Sequence, residues 1–184
     1  MPVHLVLLCA GATASARQGS FPDPGEPLDE GGRAKVRRLV LDGPRPTHCV
    51  MAPSRTAGET AALLGLDTVV EEALRDIDQG AWRGQPLTAI EPGALSAWIA
   101  MPERGAPGGE TMAAVVARVA PWLDQMRSGG ERVLAITHTA VIRAVLAEAL
   151  GLPVVATLAI DVAPLSRVVL SHHDRWRLQE LRRA

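Results

Sequence analysis

The feature that most constrains the fold of this chain is the alternation of short apolar runs with helix-like segments. Residues 3–8 and 132–136 are almost entirely apolar, as strands buried on both faces of a parallel sheet usually are. Strands that alternate with helices pack as a mainly parallel sheet covered on both faces. We therefore predict a single domain over residues 1–184, with a three-layer α/β/α sandwich architecture.

Apolar spacing, together with glycine and proline breakers, sets the expected boundaries of the elements. The last two predicted strands are expected to form a hairpin around His173. Predicted strands cover residues 3–8, 47–51, 68–70, 132–136, 154–160, 166–171 and 176–181, and predicted helices cover residues 29–41, 53–64, 94–100, 110–126 and 139–150.

Charge and cysteine content exclude several classes of protein. The chain has 19 Lys and Arg against 20 Asp and Glu, a net charge of −1, so binding to nucleic acid or to a membrane surface is not expected. No apolar run reaches the ~18 residues of a membrane span. The two cysteines form neither a disulfide scaffold nor a CxxC zinc motif. We expect a cytoplasmic protein without a metal or cofactor.

Three predicted strand ends, at residues 9–11, 52–55 and 137–138, are expected to meet at one edge of the sheet. Open α/β sheets bind their ligands at that edge. His138 lies between a strand and a helix, where free N–H groups bind anions and disfavour a protonated imidazole. The alternative interpretation is a hydrogen-bonded structural histidine.

Two further residue types are candidates for the same site. Asp76 lies two residues from Asp78, so on an extended segment they share a face and one could act as a general acid. The alternative is that they cap loops or pair with nearby arginines. Arg55 opens a helix after a strand, which suits either a phosphate-binding arginine or an ordinary solvated one.

The cysteine and glycine at the end of the first strand match no catalytic motif. Thiol phosphatases need Cys-x5-Arg, whereas the spacing from Cys9 to Arg17 is Cys-x7-Arg. A thiol in an apolar strand is usually inert. Gly11 belongs to no glycine-rich nucleotide motif. Thiol catalysis and a nucleotide-binding fold are therefore not expected.

Six segments nevertheless carry a set of motifs in a fixed order. They are residues 7–13 (LLCAGAT), 27–36 (PLDEGGRAKV), 52–61 (APSRTAGETA), 74–84 (LRDIDQGAWRG), 107–111 (PGGET) and 138–143 (HTAVIR). Together they resemble the histidine phosphatase superfamily, the phosphoglycerate-mutase-like proteins. The resemblance covers almost the whole chain and implies the phosphoglycerate-mutase-like form of the α/β/α sandwich.

The resemblance also implies a mechanism, and this chain departs from it. In that family a first histidine accepts the phosphoryl group, two arginines and a second histidine hold it, and an acid protonates the leaving oxygen. By position, the nucleophile falls on Ala10 and the first arginine on Cys9. The second arginine falls on Thr56, the acid on Asp76 and the second histidine on His138. A methyl group has no lone pair to attack phosphorus, and a thiol has no cationic fork.

The remaining ligand-binding positions follow from the same comparison. Arg55 stands one residue before Thr56 and is predicted to substitute for the missing arginine. The segment 13–17 is shorter than in most members, which changes the expected shape of the pocket. The other predicted ligand-binding residues are Gly11, Thr13, Arg17, Thr56 and Thr139.

Three functions remain open at this point. The favoured one is a bacterial pseudophosphatase that keeps a pocket for a small phosphorylated or anionic ligand. The second is an enzyme with altered chemistry that uses His138 and Asp76 as base and acid. The third is a structural or partner-binding subunit, and the chain is expected to be a monomer or a homodimer.

Overall fold

The computed structural model describes residues 3–127 and 129–183. Strands and helices alternate along most of this length, as the apolar pattern predicts. The strands are β1 (Val3–Cys9), β2 (His48–Met51), β3 (Val69–Val70), β4 (Arg132–Thr137), β5 (Arg167–His172) and β6 (Trp176–Arg182). The helices are α1 (Ala14–Gln18), α2 (Glu30–Arg38), α3 (Arg55–Leu63), α4 (Pro92–Ala100), α5 (Met112–Met126), α6 (Thr139–Leu150) and α7 (Val154–Thr157).

The six strands form one sheet in the order β3-β2-β4-β1-β5-β6. The pairs β3–β2, β2–β4 and β4–β1 are parallel, whereas β5 is antiparallel to β1 and β6 is antiparallel to β5. Helices flank this sheet, so the predicted α/β/α class with a mainly parallel sheet is confirmed. The hairpin of the last two strands also forms as expected.

The register of the central strands determines where a site can lie. Cys9 at the end of β1 is opposite Thr137 of β4, and Met51 at the end of β2 is opposite Ile136. The carboxyl ends of these three strands therefore lie side by side. The segments that follow them must open onto the same edge of the sheet.

The main core lies around β1 and β4. Consecutive residues Leu7 and Leu8 of β1 are both fully buried, and their side chains point to opposite faces of the sheet. Helices α5 and α6 supply further buried residues, among them Val119, Leu123 and Ile142. Each fully buried leucine contributes about 1.5–3 kcal/mol relative to an exposed one. Burial on both faces explains why the β1 run shows no polar alternation.

A second, aromatic cluster lies in the irregular part of the chain. Phe21 packs against Trp82 and Trp98 with ring centroids 5.1 and 5.2 Å apart. Ile90 and Ala106 complete the buried part of this cluster. The segment 74–93, which lacks long helices and strands, is therefore held by side-chain packing.

The structure departs from the local expectations at three places. Residues 154–160 are not a strand; they begin with α7, where Thr157 Oγ1 donates to the carbonyl of Val154 at 2.7 Å. The place beside β1 is taken by β5, and residues 154–160 do not belong to the six-stranded sheet. Helix α1 was not predicted. It begins after Thr13, whose side chain accepts from the N–H of Ala16, and it ends at Gly19, which has a φ of 68°. The predicted helix 29–41 ends earlier, at Arg38.

In the part of the chain that the structure describes, no helix is long and apolar enough to cross a membrane. The extent of the domain, residues 1–184, stays a prediction.

Candidate functional site

A cavity of about 810 Å³ opens at the carboxyl ends of β1, β2 and β4. It lies where the sequence predicts the three strand ends to meet. Of the predicted site residues, the following line it: Cys9, Ala10, Gly11, Thr13, Thr56, Asp76, His138 and Thr139. Arg17 and Arg55 do not line it. Whether the lining residues bind a ligand stays a prediction.

His138 is part of a chain of polar side chains across the cavity wall. Its Nε2 lies 2.8 Å from the Oγ of Ser54, and its Nδ1 lies 3.8 Å from the Oδ2 of Asp76. The first distance is a hydrogen bond, and the second is an ion-pair distance longer than a hydrogen bond. All three side chains line the cavity. Ser54 was missed as a site residue at the level of sequence.

Local structure explains the positions of Ser54 and His138. Ser54 follows β2 as the N-cap of α3, where its Oγ accepts from the N–H of Ala57 at 3.2 Å. His138 follows β4 at the equivalent place before α6, but its side chain caps nothing. Two strand-to-helix junctions of neighbouring strands thus bring the two side chains together. A serine immediately before a helix at a strand end was the signal available in the sequence.

The start of α6 also presents hydrogen-bond donors to the site. Within the described residues, the N–H groups of Thr139, Ala140 and Val141 have no acceptor. Thr139 and Ala140 line the cavity. Free first-turn amides and the helix dipole favour negative charge at this point.

Asp76 is fixed from two sides. Its Oδ1 accepts from the N–H of Ile77 at 2.8 Å, which leaves Oδ2 directed toward His138. The preceding turn is anchored by Thr137, whose hydroxyl donates to the carbonyl of Leu74 at 2.7 Å. Thr137 is the residue before His138, so β4 positions both partners of this contact.

The opposite wall of the cavity, at the end of β1, has a different character. Cys9 is buried, and its Sγ lies 3.7 Å from the Oγ1 of Thr139. Burial raises the pKa of the Cys9 thiol to about 12, and the contact with Thr139 only partly offsets that effect. Ala10 follows it and is 4% exposed. The thiol is therefore protonated at neutral pH, and no nucleophilic side chain stands at residues 9–10.

Gly11 and Thr13 have structural explanations. The N–H of Gly11 donates to the Oγ1 of Thr60 at 3.1 Å. A Cβ on Gly11 would lie 2.9 Å from the Cδ2 of Leu28, so the position leaves little room for a side chain. Thr13 is the N-cap of α1, as described above. Both residues shape the cavity wall through the fold.

The structure does not bring Arg55 to the cavity, and its role as a replacement for the missing arginine stays a prediction. As the first residue of α3, Arg55 forms an i,i+4 ion pair with Glu59, Nε to Oε1 at 2.9 Å. Glu59 also accepts from Arg33 at 2.9 Å. Arg55 is more than half exposed and lies outside the cavity. The helix turns its side chain away from Ser54, because adjacent residues on a helix point in different directions.

Arg17 is likewise a structural residue. It pairs with Asp29, the N-cap of α2, and does not line the cavity. That pairing lowers the pKa of Asp29, with the hydrogen bond from Arg17 as the largest cause. The contact ties α1 to the start of α2, and a ligand-binding role for Arg17 stays a prediction.

The remaining charges of the cavity are mostly carboxylates. Its lining includes three arginines, and each already has a partner. Arg75 pairs with Glu110 at 2.8 Å and Arg83 with Asp78 at 2.7 Å. Arg143 donates to the carbonyl of Ile160 at 2.8 and 3.1 Å. The lining carboxylates are Asp23, Glu26, Glu72, Asp76, Asp78 and Glu110.

Glu110 connects the site to the helices behind it. It accepts from the N–H of Asp78 at 3.0 Å and from Arg118 at 3.2 Å. Burial alone would raise the pKa of Glu110, but these hydrogen bonds outweigh burial and lower it. Within residues 3–127 and 129–183, no group of three or more metal-ligating side chains is found.

Comparison with known protein families gives a match along nearly the whole chain. A family model described as the histidine phosphatase superfamily (branch 1) matches residues 5–183. A bifunctional protein of Mycobacterium tuberculosis is 31% identical over 180 residues, which cover 90% of this chain and 50% of that protein. A phosphoserine phosphatase of Hydrogenobacter thermophilus is 29% identical over 136 residues, covering 67% and 64%. The chain spans about half the length of the first of these relatives.

Solved structures agree with the fold. A mycobacterial glucosyl-3-phosphoglycerate phosphatase in complex with VO3 has a TM-score of 0.84 and 29% identity, covering 96% of both chains. A phosphoglycerate mutase of Thermus thermophilus has a TM-score of 0.74 and 28% identity, covering 97% of both chains. Similarity to both extends over the elements that form the cavity.

Proposed function

The chain belongs to the histidine phosphatase superfamily (branch 1), and on that basis we propose that it lacks phosphohistidine chemistry and retains a pocket for a small ligand. Ala10 carries this proposal. It lines the cavity at the position where the resemblance requires the nucleophilic histidine. A methyl group cannot attack phosphorus, and the neighbouring Cys9 is protonated because of its raised pKa.

The phosphate-binding groups support the same conclusion. Of the two arginines that the resemblance implies, one position holds Cys9 and the other holds Thr56. Arg55 pairs with Glu59 outside the cavity and does not occupy the place of the second. His138 alone retains its family position among the four phosphate-contacting groups. We therefore propose that the protein is a pseudophosphatase.

For the ligand we propose a small phosphorylated or anionic molecule, bound weakly. Similar proteins are named as phosphatases of glucosyl-3-phosphoglycerate and of phosphoserine. The free N–H groups at the start of α6 supply donors for an anion. Each missing charge-assisted hydrogen bond removes roughly 1.5–3 kcal/mol. An affinity in the millimolar range, about −4 kcal/mol, is expected. A cytoplasmic location and a monomeric or homodimeric state stay predictions.

The direct test is phosphoryl transfer. Wild-type protein incubated with a labelled phosphodonor should carry no acid-labile phosphate, because no histidine occupies position 10. A catalytically active phosphoglycerate mutase serves as the positive control for the donor. A stoichiometric acid-labile adduct on any histidine would overturn the proposal.

The ligand pocket is tested separately by titration. Phosphate and sulfate should shift the ring resonances of His138 at millimolar concentration, and His172 on the β5–β6 hairpin is the control for general salt effects. If the ring resonances of His138 do not shift, the ligand pocket is contradicted, and a structural or partner-binding subunit becomes the favoured function.

A second candidate function is an enzyme with altered chemistry. The observation that favours it is the 2.8 Å contact between Ser54 and His138, which places a hydroxyl beside a general base.

A further inference from the structure

The hydroxyl of Ser54 is arranged as an activated nucleophile. Its Oγ lies 2.8 Å from Nε2 of His138, while Nδ1 of the same ring faces Oδ2 of Asp76 at 3.8 Å. A serine, a histidine and a carboxylate in this order have the same roles as a serine-hydrolase triad, which is recognised by geometry and not by chain order. The longer Asp76 contact is of the kind seen in ligand-free sites.

The hydrogen-bond directions are consistent with this role. The carboxylate at Nδ1 favours the tautomer that carries its proton on Nδ1, so Nε2 is left as an acceptor. Ser54 then donates its O–H to Nε2 and accepts the N–H of Ala57 at 3.2 Å. Capping of α3 uses a lone pair of the Ser54 oxygen, whereas activation by His138 uses the hydroxyl proton, so one does not exclude the other.

Space for a reacting carbon exists beside Ser54. Thr56 lies beside it, with its Oγ1 3.3 Å from the Oγ of Ser54, and the small residues Ala10 and Gly11 line the same cavity. Thr139 and Ala140, on the same cavity wall as His138, offer amides without an acceptor among the described residues. Such donors are what an oxyanion requires.

The rest of the lining indicates the class of substrate. Carboxylates outnumber arginines, and every lining arginine is already bonded to the protein. The amides at the start of α6 can receive an anion or the oxyanion of an ester, but among the described residues the rest of the lining offers no unpaired arginine to a charged acyl group. Apolar contact surface comes from Ile77, Trp98, Met112, Leu158 and Pro164. These observations favour a small ester with an uncharged, apolar acyl group.

We propose that this chain hydrolyses small uncharged carboxylic esters, with Ser54 as nucleophile, His138 as general base and acid, and Asp76 as the group that orients His138. The inference goes beyond the proposed function, because it assigns acyl transfer to a cavity that lacks the groups for phosphoryl transfer. It depends on the proposed function in one respect, because both assign a role to the same cavity.

The reaction balances without a cofactor. Ser54 Oγ bonds to the carbonyl carbon as its proton passes to Nε2 of His138. The carbon–oxygen bond to the leaving alcohol then breaks, and His138 returns the proton to that oxygen. Water next gives a proton to His138 and attacks the acyl-serine. The bond to Oγ breaks, Ser54 regains the proton, and a carboxylic acid leaves.

The test uses two substrates with the same leaving group, p-nitrophenyl butyrate and p-nitrophenyl phosphate. We expect wild-type protein to hydrolyse the butyrate and not the phosphate. An alkyl fluorophosphonate should label Ser54, as mapped by peptide mass spectrometry. Ser54→Gly should abolish both labelling and hydrolysis while keeping the helix, because glycine is a tolerated N-cap. His138→Ala should have the same effect, with a loss of at least about 100-fold.

Controls separate a catalytic role from a structural one. Glu91→Gly removes the N-cap side chain of α4, and since neither Glu91 nor its two neighbours line the cavity, this change should leave butyrate hydrolysis unchanged. Asp76→Asn should lower kcat more than it changes KM and should alter the pH profile, as expected for a positioning residue.

Each outcome has a defined meaning. Butyrate hydrolysis that survives Ser54→Gly, labelling at another residue, or no hydrolysis by wild type would overturn the ester proposal. Hydrolysis of the phosphate with an acid-labile phosphohistidine would instead overturn the proposed function. The butyrate therefore tests the ester proposal, and the phosphate tests the proposed function.

Discussion

The two walls of the cavity differ in what holds them in place. On the β1 wall (residues 9–11), backbone N–H groups make the contacts that hold the chain in place. For example, the N–H of Ala10 donates to the carbonyl of Thr137 at 2.8 Å. On the His138 wall (Ser54, Asp76 and His138), side chains contact one another. The N–H of Ala10 donates to Thr137 whatever side chain stands at position 10, so this contact does not require a histidine there.

Under the proposed function, one half of the site has lost its chemistry while the other half keeps its polar contacts. Cys9 and Ala10 bury apolar surface at a strand end and leave no side-chain polar group without a partner. His138, Ser54 and Asp76 would each leave a partner unsatisfied if changed, which costs about 1–3 kcal/mol. The following predictions test this difference, from the largest expected effect to the smallest.

The largest effect is expected from rebuilding the β1 wall. The triple variant Cys9→Arg, Ala10→His, Thr56→Arg should gain hydrolysis of p-nitrophenyl phosphate, because His138 and Asp76 already line the cavity. The double variant without Thr56→Arg should be slower by about 10²–10³-fold, the usual cost of one missing charge-stabilising donor. Steady-state assays of purified variants give this ratio.

The control for this gain is the triple variant with His138→Ala, which should be silent. A folded triple variant that is no more active than this control would show that the two walls no longer fit one phosphate.

The second prediction concerns the reactivity of the β1 wall. With a pKa of about 12, the Cys9 thiol is ionised to a fraction of only about 10⁻⁴ at pH 8. Iodoacetamide should therefore modify Cys9 at least about 10-fold more slowly than Cys49, which is only half-buried. Peptide mass spectrometry over time gives both rates from one sample. Faster alkylation of Cys9 than of Cys49 would contradict an inert β1 wall.

The third prediction tests what holds the β1 wall. Thr60→Val keeps the shape of a buried side chain but removes the acceptor of the Gly11 N–H. Unfolding by urea should show a loss of about 1–3 kcal/mol, the cost of an unsatisfied buried donor. Thr88→Val, at an exposed site, is the control and should change stability by less than about 0.5 kcal/mol. Equal effects of the two changes would show that the Thr60 contact contributes nothing.

The smallest effect is expected behind the His138 wall. Hydrogen bonds from Asp78 and Arg118 lower the pKa of Glu110 against the opposing effect of burial. A lowered pKa stabilises the folded state above the unfolded value, near 4.5, and this contribution disappears as the pH falls through the folded pKa. Glu110→Gln should therefore cost about 1 kcal/mol at neutral pH and progressively less in acid.

Urea unfolding of wild type and Glu110→Gln across this pH range measures the difference. A gap that stays constant or widens below pH 4.5 would contradict the assigned role of Glu110.

Much of the fold could be predicted from the chain because its signals are local. Continuous apolar runs indicated β1 and β4, and glycine and proline marked most boundaries. The failure at residues 154–160 shows the limit of this reasoning. Their β-branched residues suit a strand, but the sheet edge beside β1 is taken by β5, a fact that local propensity does not contain.

The sequence by itself also determined which chemical groups are absent from the site, because no fold can make Ala10 a nucleophile or Thr56 a cation. Only the tertiary structure decided the partners of the groups that remain. Arg55 and Ser54 are adjacent in sequence, yet one turns to Glu59 in solvent and the other to His138 in the cavity. The directions of the Ser54 and Arg55 side chains depend on where α3 starts and on how close that start lies to the end of β4. The contact between Ser54 and His138 joins residues 84 positions apart.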